Sequence, residues 1–239
     1  MNATNINHPN CIEFYSITCL CKTDSMLAWD IETTGIDKKS DHITVISMYD
    51  PDAGISKVLR FVDLNEDADI CYVDEFNDRV AEFETIMDGA KTLTAFNGQS
   101  FDIPFVQIQF NIPNEKIQSW VLKSFDILDT CRKAFQRTFS LNLALEMNIA
   151  GFQKSGTGME AVYQARRGDW ESLESYCLDD SILTHKLSSL DTILCPEGFQ
   201  WRKNHGGRSH DTSRVLKIHR TDFPKLSFSF GPLDASVPA

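Results

Sequence analysis

Short runs of apolar and β-branched residues near the start of the chain predict three consecutive strands, over residues 26–31, 42–49 and 55–62. The first is a continuous apolar run that ends in acidic residues, whereas the second alternates between apolar and polar positions. Residues 50–54 carry the Asp, Pro and Gly residues that are typical of a turn. The short connections between the strands predict that they pair as hairpins.

In the next segment, apolar residues no longer recur at every second position but at every third or fourth. Apolar residues at this spacing between positions 73 and 90 predict an amphipathic helix, with Asp74 as its cap and Gly89 near its end. A fourth strand is predicted over residues 91–96. Because a helix connects it to the preceding strands, we expect it to run parallel to the first strand.

Helical patterns dominate the second half of the chain, with one further strand among them. We expect a short helix over 100–110, a strand within 120–128 that ends at Asp126, two helical pieces around Ser140 within 130–148, a loop over 151–158, a helix over 159–167 and a long helix from Asp169 to about residue 190. This order of elements predicts an α/β fold, in which helices flank both faces of a mixed five-stranded sheet.

The composition is that of an ordinary globular protein, with 42% apolar and 24% charged residues in 239. No apolar run approaches the ~18 residues of a membrane-spanning helix, and no secretory signal pattern is present. Seven cysteines without a C-x-x-C pair favour reduced thiols over a disulfide framework or a zinc ribbon. We therefore expect an intracellular protein, cytoplasmic or nuclear, with no membrane partner.

The net charge limits how the chain could bind nucleic acid. With 23 basic and 34 acidic residues the net charge is −11, which excludes a polycation that coats nucleic acid without specificity. Seven basic residues against two acids nevertheless cluster within 200–225. We divide the chain into an arm (1–24), an α/β domain (25–194) and a basic tail (195–239). The tail could contact phosphates, act as a localisation signal or be a solvated terminus.

Two acidic residues lie where the first strand ends. Asp30 and Glu32 are two positions apart on a strand, so their side chains point to the same face. Such a pair could hold a divalent cation, although solvated acids at a strand end are the simpler interpretation. The segment that leads to Asp102 follows the fourth strand, and ligands bind at the carboxyl ends of strands in open α/β sheets. A helix-capping acid is the alternative interpretation of Asp102.

The long final helix carries a further acid, Asp180, near its apolar side. A carboxylate in that position needs a partner, which could be a metal ion. Tyr176 lies one helical turn before it on the same face. The neighbouring Asp179 is expected to face solvent, and Asp180 itself could be no more than a residue at the boundary of the apolar side.

Taken in order, these acids fall within three motifs: D-I-E-T-T-G at 30–35, N-G-Q-S-F-D at 97–102 and Y-C-L-D-D at 176–180. They resemble the three exonuclease motifs of the DEDD superfamily, D-x-E-x-x-G, N-x-x-x-F-D and Y-x-x-x-D. The tyrosine branch of that superfamily includes the proofreading domains of family-B DNA polymerases and stand-alone ribonuclease-H-like exonucleases. The histidine branch is disfavoured because Ser175 stands where its histidine would be.

This resemblance implies a ribonuclease-H-like fold and a metal-dependent 3'–5' exonuclease that releases nucleoside monophosphates from the 3' end of DNA or RNA. It implies two Mg²⁺ or Mn²⁺ ions per site, which suits hydrolysis of a phosphodiester. By resemblance, Asp30 bridges both ions, Glu32 and Asp180 hold the ion that activates water, and Asp102 holds the other. Tyr176 would orient the attacking water.

The resemblance also assigns a substrate, single-stranded or 3'-terminal DNA or RNA, and leaves protein partners unknown. It assigns substrate contacts to Thr33, Thr34, Gly35, Asn97 and Phe101.

The sequence is compatible with three other interpretations. A structure-specific endonuclease of the same fold uses similar acids, and circular substrates would distinguish it from an exonuclease. A catalytically silent nucleic-acid-binding module would tolerate the loss of a carboxylate. All four carboxylates of the motifs are nevertheless present: Asp30, Glu32, Asp102 and Asp180. A metal-dependent phosphatase is not excluded by carboxylates alone. Whether Asp126 contributes to the site is also open.

Overall fold

We analysed a computed structural model, which describes residues 14–18, 25–135, 138–150, 152, 157–190, 192–197 and 211–219. For the segments 14–18 and 211–219 the description is limited to the backbone. Within the described ranges, no helix is long and apolar enough to cross a membrane.

The secondary structure consists of short strands and of helices that mostly follow the first half of the chain. The strands are β1 (Phe14–Thr18), β2 (Met26–Thr33), β3 (Ile43–Asp50), β4 (Ile55–Arg60), β5 (Val62–Leu64), β6 (Ile70–Tyr72), β7 (Thr92–Ala95), β8 (Ser124–Asp126), β9 (Thr192–Glu197) and β10 (Asp211–His219). The helices are α1 (Phe76–Gly89), α2 (Asp102–Gln109), α3 (Asn114–Leu122), α4 (Ile127–Phe135), α5 (Leu141–Asn148), α6 (Gly158–Arg167) and α7 (Trp170–Ser188).

A mixed five-stranded sheet forms the centre of the fold, in the order β4-β3-β2-β7-β8. Strand β3 runs antiparallel to both β2 and β4, whereas β2, β7 and β8 run parallel to one another. Helices pack on both faces of this sheet. The predicted α/β architecture, the five-stranded mixed sheet and the direction of the fourth strand are therefore confirmed.

Strand β2 divides its side chains between the two faces of the sheet. Leu27, Trp29 and Ile31 are buried in the core cluster that includes residues of α1, α2 and α3. Because successive side chains of a strand point to opposite faces, Asp30 and Glu32 face the other side, where α7 crosses the sheet. The two-residue period thus separates the acidic pair from the main core.

Several local predictions were wrong. Helix α3 was not expected, and its last residues, 120–122, lie in the range predicted to contain the fifth strand; Ile117 and Trp120 lie on its buried side. The fifth strand itself, β8, ends at Asp126 as predicted. The third strand is interrupted at Phe61, so that β5 instead pairs with β6 in a two-stranded hairpin. Helix α1 begins at Phe76 with Glu75 rather than Asp74 at its N-cap position, and no side chain caps it. Interruptions of this kind depend on tertiary packing, which the local sequence pattern does not contain.

Segments from both ends of the chain pair in a second sheet. Strand β1 runs parallel to β10, and β10 runs antiparallel to β9. Strand β9 is held to α5 because the Asn148 side chain donates to the Leu194 carbonyl and accepts from the Leu194 N–H, at 2.9 and 2.6 Å. The division into arm, domain and tail remains a prediction. Most of the basic segment 200–225 lies outside the described residues.

Candidate active site

Three carboxylates converge where α7 crosses β2. Ligand oxygens of Asp30, Glu32 and Asp180 all lie within 4.8 Å of one another. Two of these acids are neighbours on one face of β2, and the third comes from the helix that packs on that face. Carboxylate oxygens are the ligands that hard divalent cations such as Mg²⁺ prefer. The acidic triad could therefore hold a metal ion.

Small polar residues hold α7 at this distance from the sheet. Ser47 lies opposite Asp30 in the β2–β3 register. Its hydroxyl donates to the Cys177 carbonyl at 2.7 Å and lies 2.6 Å from the Ser181 hydroxyl. The three residues that make these contacts are fully buried. The packing of Ser47, Cys177 and Ser181, which we call the serine–cysteine seam, fixes the height of α7 above the acids of β2.

Within the seam, the Cys177 thiol touches the site directly. Its sulfur lies 3.6 Å from the Asp30 carbonyl oxygen and 3.3 Å from the Ser47 hydroxyl. Burial raises the pKa of this thiol, and the negative charges of Asp30 and Glu32 raise it further. The thiol is consequently neutral at physiological pH and acts as a small packing group beside the acids.

Tyr176 lies against the acidic triad. Its side chain is largely buried, and its hydroxyl is hydrogen-bonded to the Asp180 carboxylate. Burial raises the pKa of the phenol, and the nearby charges of Asp180, Glu32 and Asp30 raise it further. The hydroxyl therefore keeps its proton and can donate it in a hydrogen bond.

Asp102 lies beside the triad rather than within it. Its Oδ1 accepts a hydrogen bond from the Ile31 N–H at 3.2 Å, between the two acids of β2. Strand β7 pairs with β2 only from Met26 to Ala28, so this edge of β2 is open at Ile31. Burial raises the pKa of Asp102 to about 7, and the charge of Asp126 contributes to the rise.

The loop after β2 is shaped by Asp41. The Thr33 hydroxyl donates to the Gly35 carbonyl, and the Thr34 hydroxyl lies 3.3 Å from Asp41 Oδ1. The His42 N–H donates to the Thr34 hydroxyl at 2.9 Å. A Cβ at Gly35 would collide with the Asp41 carboxylate, so a larger residue there requires that carboxylate to move. These contacts place residues 33–35 directly after the acidic pair.

The remaining two predicted site residues lie in the turn that leads to Asp102. Asn97 has a left-handed backbone with φ of 73°, a conformation that Asn tolerates better than most residues. Phe101 is half-buried, and the Lys38 ammonium lies 5.7 Å from the centre of its ring. Asp179, as expected, is exposed.

Sequence reasoning missed the serine–cysteine seam. The signal in the sequence is that Ser47 is a single serine in an otherwise largely apolar strand; the structure shows that it is fully buried. The sequence alone does not reveal that its partner is α7, because the contact joins residues 130 and 134 positions apart.

The raised pKa of Asp102 predicts a pH dependence of stability. The folded pKa of about 7 exceeds the ordinary value of 3.8, so the folded chain binds this proton more tightly than the unfolded chain. The Asp102 contribution to the free energy of unfolding is full below about pH 4 and is lost as the pH rises through about 7. In chelator-treated buffer, urea denaturation should therefore show a smaller decline over this range for Asp102→Asn than for the wild type.

The exposed Asp179→Asn is the control, and it should follow the wild-type pH profile. Parallel profiles for Asp102→Asn and the wild type would contradict this account of Asp102.

Comparison with known proteins agrees with this architecture. A family model for the RNase H superfamily matches residues 27–190, whereas no curated protein matches the chain. A solved family B DNA polymerase from the hyperthermophilic archaeon Pyrobaculum calidifontis is similar, with 15% identity and a TM-score of 0.51 over 70% of this chain. The match spans 24% of the polymerase chain, and at this identity it shows the fold alone. The family match extends over more than half of the sequence, and the chain belongs to the RNase H superfamily.

Proposed function

We propose that the chain is a metal-dependent 3'–5' exonuclease of the DEDD tyrosine branch. It would hydrolyse phosphodiester bonds at the 3' end of DNA or RNA and release nucleoside monophosphates. Membership of the RNase H superfamily supports nuclease activity in general. The observation that carries the finer proposal is the convergence of Asp30, Glu32 and Asp180, with Tyr176 hydrogen-bonded to the last of them.

The donor set fits divalent cations, and we propose two Mg²⁺ or Mn²⁺ ions per site. Asp30, Glu32 and Asp180 offer carboxylate oxygens close enough together to share an ion. Asp102 would complete the set from the edge of β2. When bound, such ions supply Lewis-acid activation of water and neutralise the charge that develops on the phosphate.

In the proposed reaction, the chain's own residues hold the carboxylates in place and orient the attacking water. The acids of β2 are anchored by the sheet, and α7 brings Asp180 and Tyr176 to them. Since burial and the nearby carboxylates raise the pKa of the Tyr176 phenol, it keeps its proton and can donate a hydrogen bond. We propose that this hydroxyl orients the attacking water.

Substrate contacts are proposed for Thr33, Thr34, Gly35, Asn97 and Phe101. The Thr34 N–H already donates to the His42 carbonyl at 2.9 Å, so this loop would contribute through its shape and its other backbone groups. Lys38, which lies over the Phe101 ring, adds a positive charge that could contact a phosphate. An intracellular location, cytoplasmic or nuclear, is part of the same proposal, and the basic segment 200–225 could add phosphate contacts.

Removal of a carboxylate tests the proposed activity. Asp30→Ala or Asp180→Ala should lower the rate of nucleotide release by about 10³-fold or more, because the donor set for the ions is broken. The assay uses 5'-labelled single- and double-stranded DNA and RNA, with Mg²⁺, with Mn²⁺ and with chelator. In metal-free buffer these variants should unfold at equal or higher urea concentration, since repulsion between like charges is relieved.

Asp179→Ala is the matched control, because it removes the adjacent but exposed carboxylate of α7. It should retain wild-type activity. Undiminished nucleotide release by Asp30→Ala would refute the proposal, and cleavage of circular substrates would favour the endonuclease instead.

Tyr176→Phe tests the orienting role of the hydroxyl. If the tyrosine only positions water, its loss should cost about 10- to 10³-fold in rate, less than the loss of a carboxylate. The ring should still pack beside Leu173 and Cys177, so the fold should be retained. Single-turnover rates on a 5'-labelled strand provide the measurement. A variant as inactive as Asp30→Ala would indicate proton transfer by Tyr176, and one as active as the wild type would indicate a packing role only.

A further inference from the structure

Asp126 is a buried carboxylate at the end of β8 that binds backbone rather than side chains. Its Oδ1 accepts from the N–H groups of Asn97 and Asp129, at 3.0 and 2.9 Å. Its Oδ2 accepts from the Gln99 N–H at 2.8 Å. Asp126 is 3% exposed, so water does not compete for these bonds. The bonds join the start of α4 to the turn at residues 97–99.

That turn leads directly to Asp102. The Asn97 carbonyl accepts from the N–H groups of Ser100 and Phe101, at 3.1 and 3.0 Å, and the Gly98 carbonyl accepts from Ile103 at 2.8 Å. These bonds connect residues 97–99 to the first turn of α2, in which Asp102 is the first residue. A displacement of the turn is therefore carried to the Asp102 carboxylate.

The turn at residues 97–99 has little room to move. A Cβ placed on Gly98 would lie 2.6 Å from Ala95 Cβ, so the turn already packs against the end of β7. On the other side, Asp102 Oδ1 meets the Ile31 N–H. The turn is thus confined between the sheet and Asp126.

We propose that Asp126 is a positioning residue, which holds Asp102 in place against β2 and thereby sets the affinity of the site for its divalent cations. The inference rests on the proposed function, in which Asp102 is a metal ligand. Groups that orient ligands from outside a metal site commonly change metal affinity by about 10- to 100-fold when they are replaced. Asp126 does so through the backbone of the turn rather than through a side chain.

Both oxygens of Asp126 are needed for this role. An asparagine at this position retains one acceptor oxygen, while its amide group would present N–H donors to an N–H donor of the chain. Asp126→Asn therefore removes at least one of the bonds at nearly constant volume. Because Asp126 also caps α4 through Asp129, a purely structural role is the rival explanation, and stability alone does not distinguish the two.

Asp50 provides a matched control for the structural role. It lies at the end of β3, is 2% exposed, and accepts from the N–H groups of Asp52 and Ala53 at 3.0 and 3.1 Å. In the β2–β3 register Tyr49 already lies opposite Ala28, so Asp50 is beyond that pair and away from the acids of β2. Both backbone bonds go to Oδ1, and the Ser25 hydroxyl bonds to Oδ2. An asparagine could keep the two backbone bonds, so the control is Asp50→Ala, which removes both of them in a turn away from the acids of β2.

The experiment measures Mn²⁺ binding by calorimetry and the Mg²⁺ concentration for half-maximal nuclease activity, in the wild type, Asp126→Asn and Asp50→Ala. We expect Asp126→Asn to weaken Mn²⁺ binding and raise the half-maximal Mg²⁺ concentration by about 10-fold, with most of the rate recovered at saturating Mg²⁺. Asp50→Ala should match the wild type in both measurements, whatever stability it loses.

Wild-type metal dependence in Asp126→Asn would overturn the inference and leave Asp126 as a helix cap. Gly98→Ala is the second variant, to be used if Asp126→Asn fails to fold; it displaces the turn with Asp126 intact and should weaken Mn²⁺ binding in the same way. A folded Gly98→Ala with wild-type binding would also overturn the inference. A wild-type protein that neither binds Mn²⁺ nor cleaves nucleic acid would instead refute the proposed function itself.

Discussion

The close approach of α7 to strands β2 and β3 is the constraint on which the acidic triad depends. Ser47, Cys177 and Ser181 are small and fully buried, and their hydroxyl and carbonyl groups bond across the contact at 2.6 and 2.7 Å. If larger apolar residues replaced Ser47, Cys177 or Ser181, the distance between the helix and the sheet would increase. Asp180 is three residues beyond Cys177 and would move away from Asp30 together with the helix.

The same close packing concentrates negative charge. Three carboxylates within 4.8 Å repel one another, and the neighbouring Tyr176 and Cys177 are kept neutral by that field as well as by burial. The fold tolerates this repulsion because the opposite face of β2 is buried among large apolar side chains, including Trp29 and Phe83. Apolar packing on one face of the strand thus stabilises an arrangement of charges on the other face.

Much of the architecture follows from periodicity in the sequence. The two-residue period of β2 was sufficient to place Asp30 and Glu32 on one face, and the helical spacing was sufficient to place Tyr176 with Asp180. By contrast, α3 was missed, and the third predicted strand was not seen to divide into β4 and β5. Those features depend on which neighbours are available in the folded protein rather than on the local pattern.

The sequence pointed to Asp102 and Asp126 as candidate residues, but it could not predict their contacts. Asp102 reaches the Ile31 N–H only because β7 pairs no further along β2 than Ala28. Asp126 binds backbone N–H groups, which every residue except proline carries, so no residue type marks its partners. Strand register and turn geometry determine both contacts.

The proposed site therefore joins two assemblies that meet at β2. Helix α7 and the serine–cysteine seam place Asp180 over one face of the strand, whereas Asp126 and the turn at 97–99 place Asp102 at its edge. The two assemblies use different helices and different hydrogen bonds, and the backbone between Asp30 and Glu32 is their common element. A disturbance of the turn can consequently alter Asp102 while the acidic triad keeps its geometry, so that the two parts of the site respond separately to substitution.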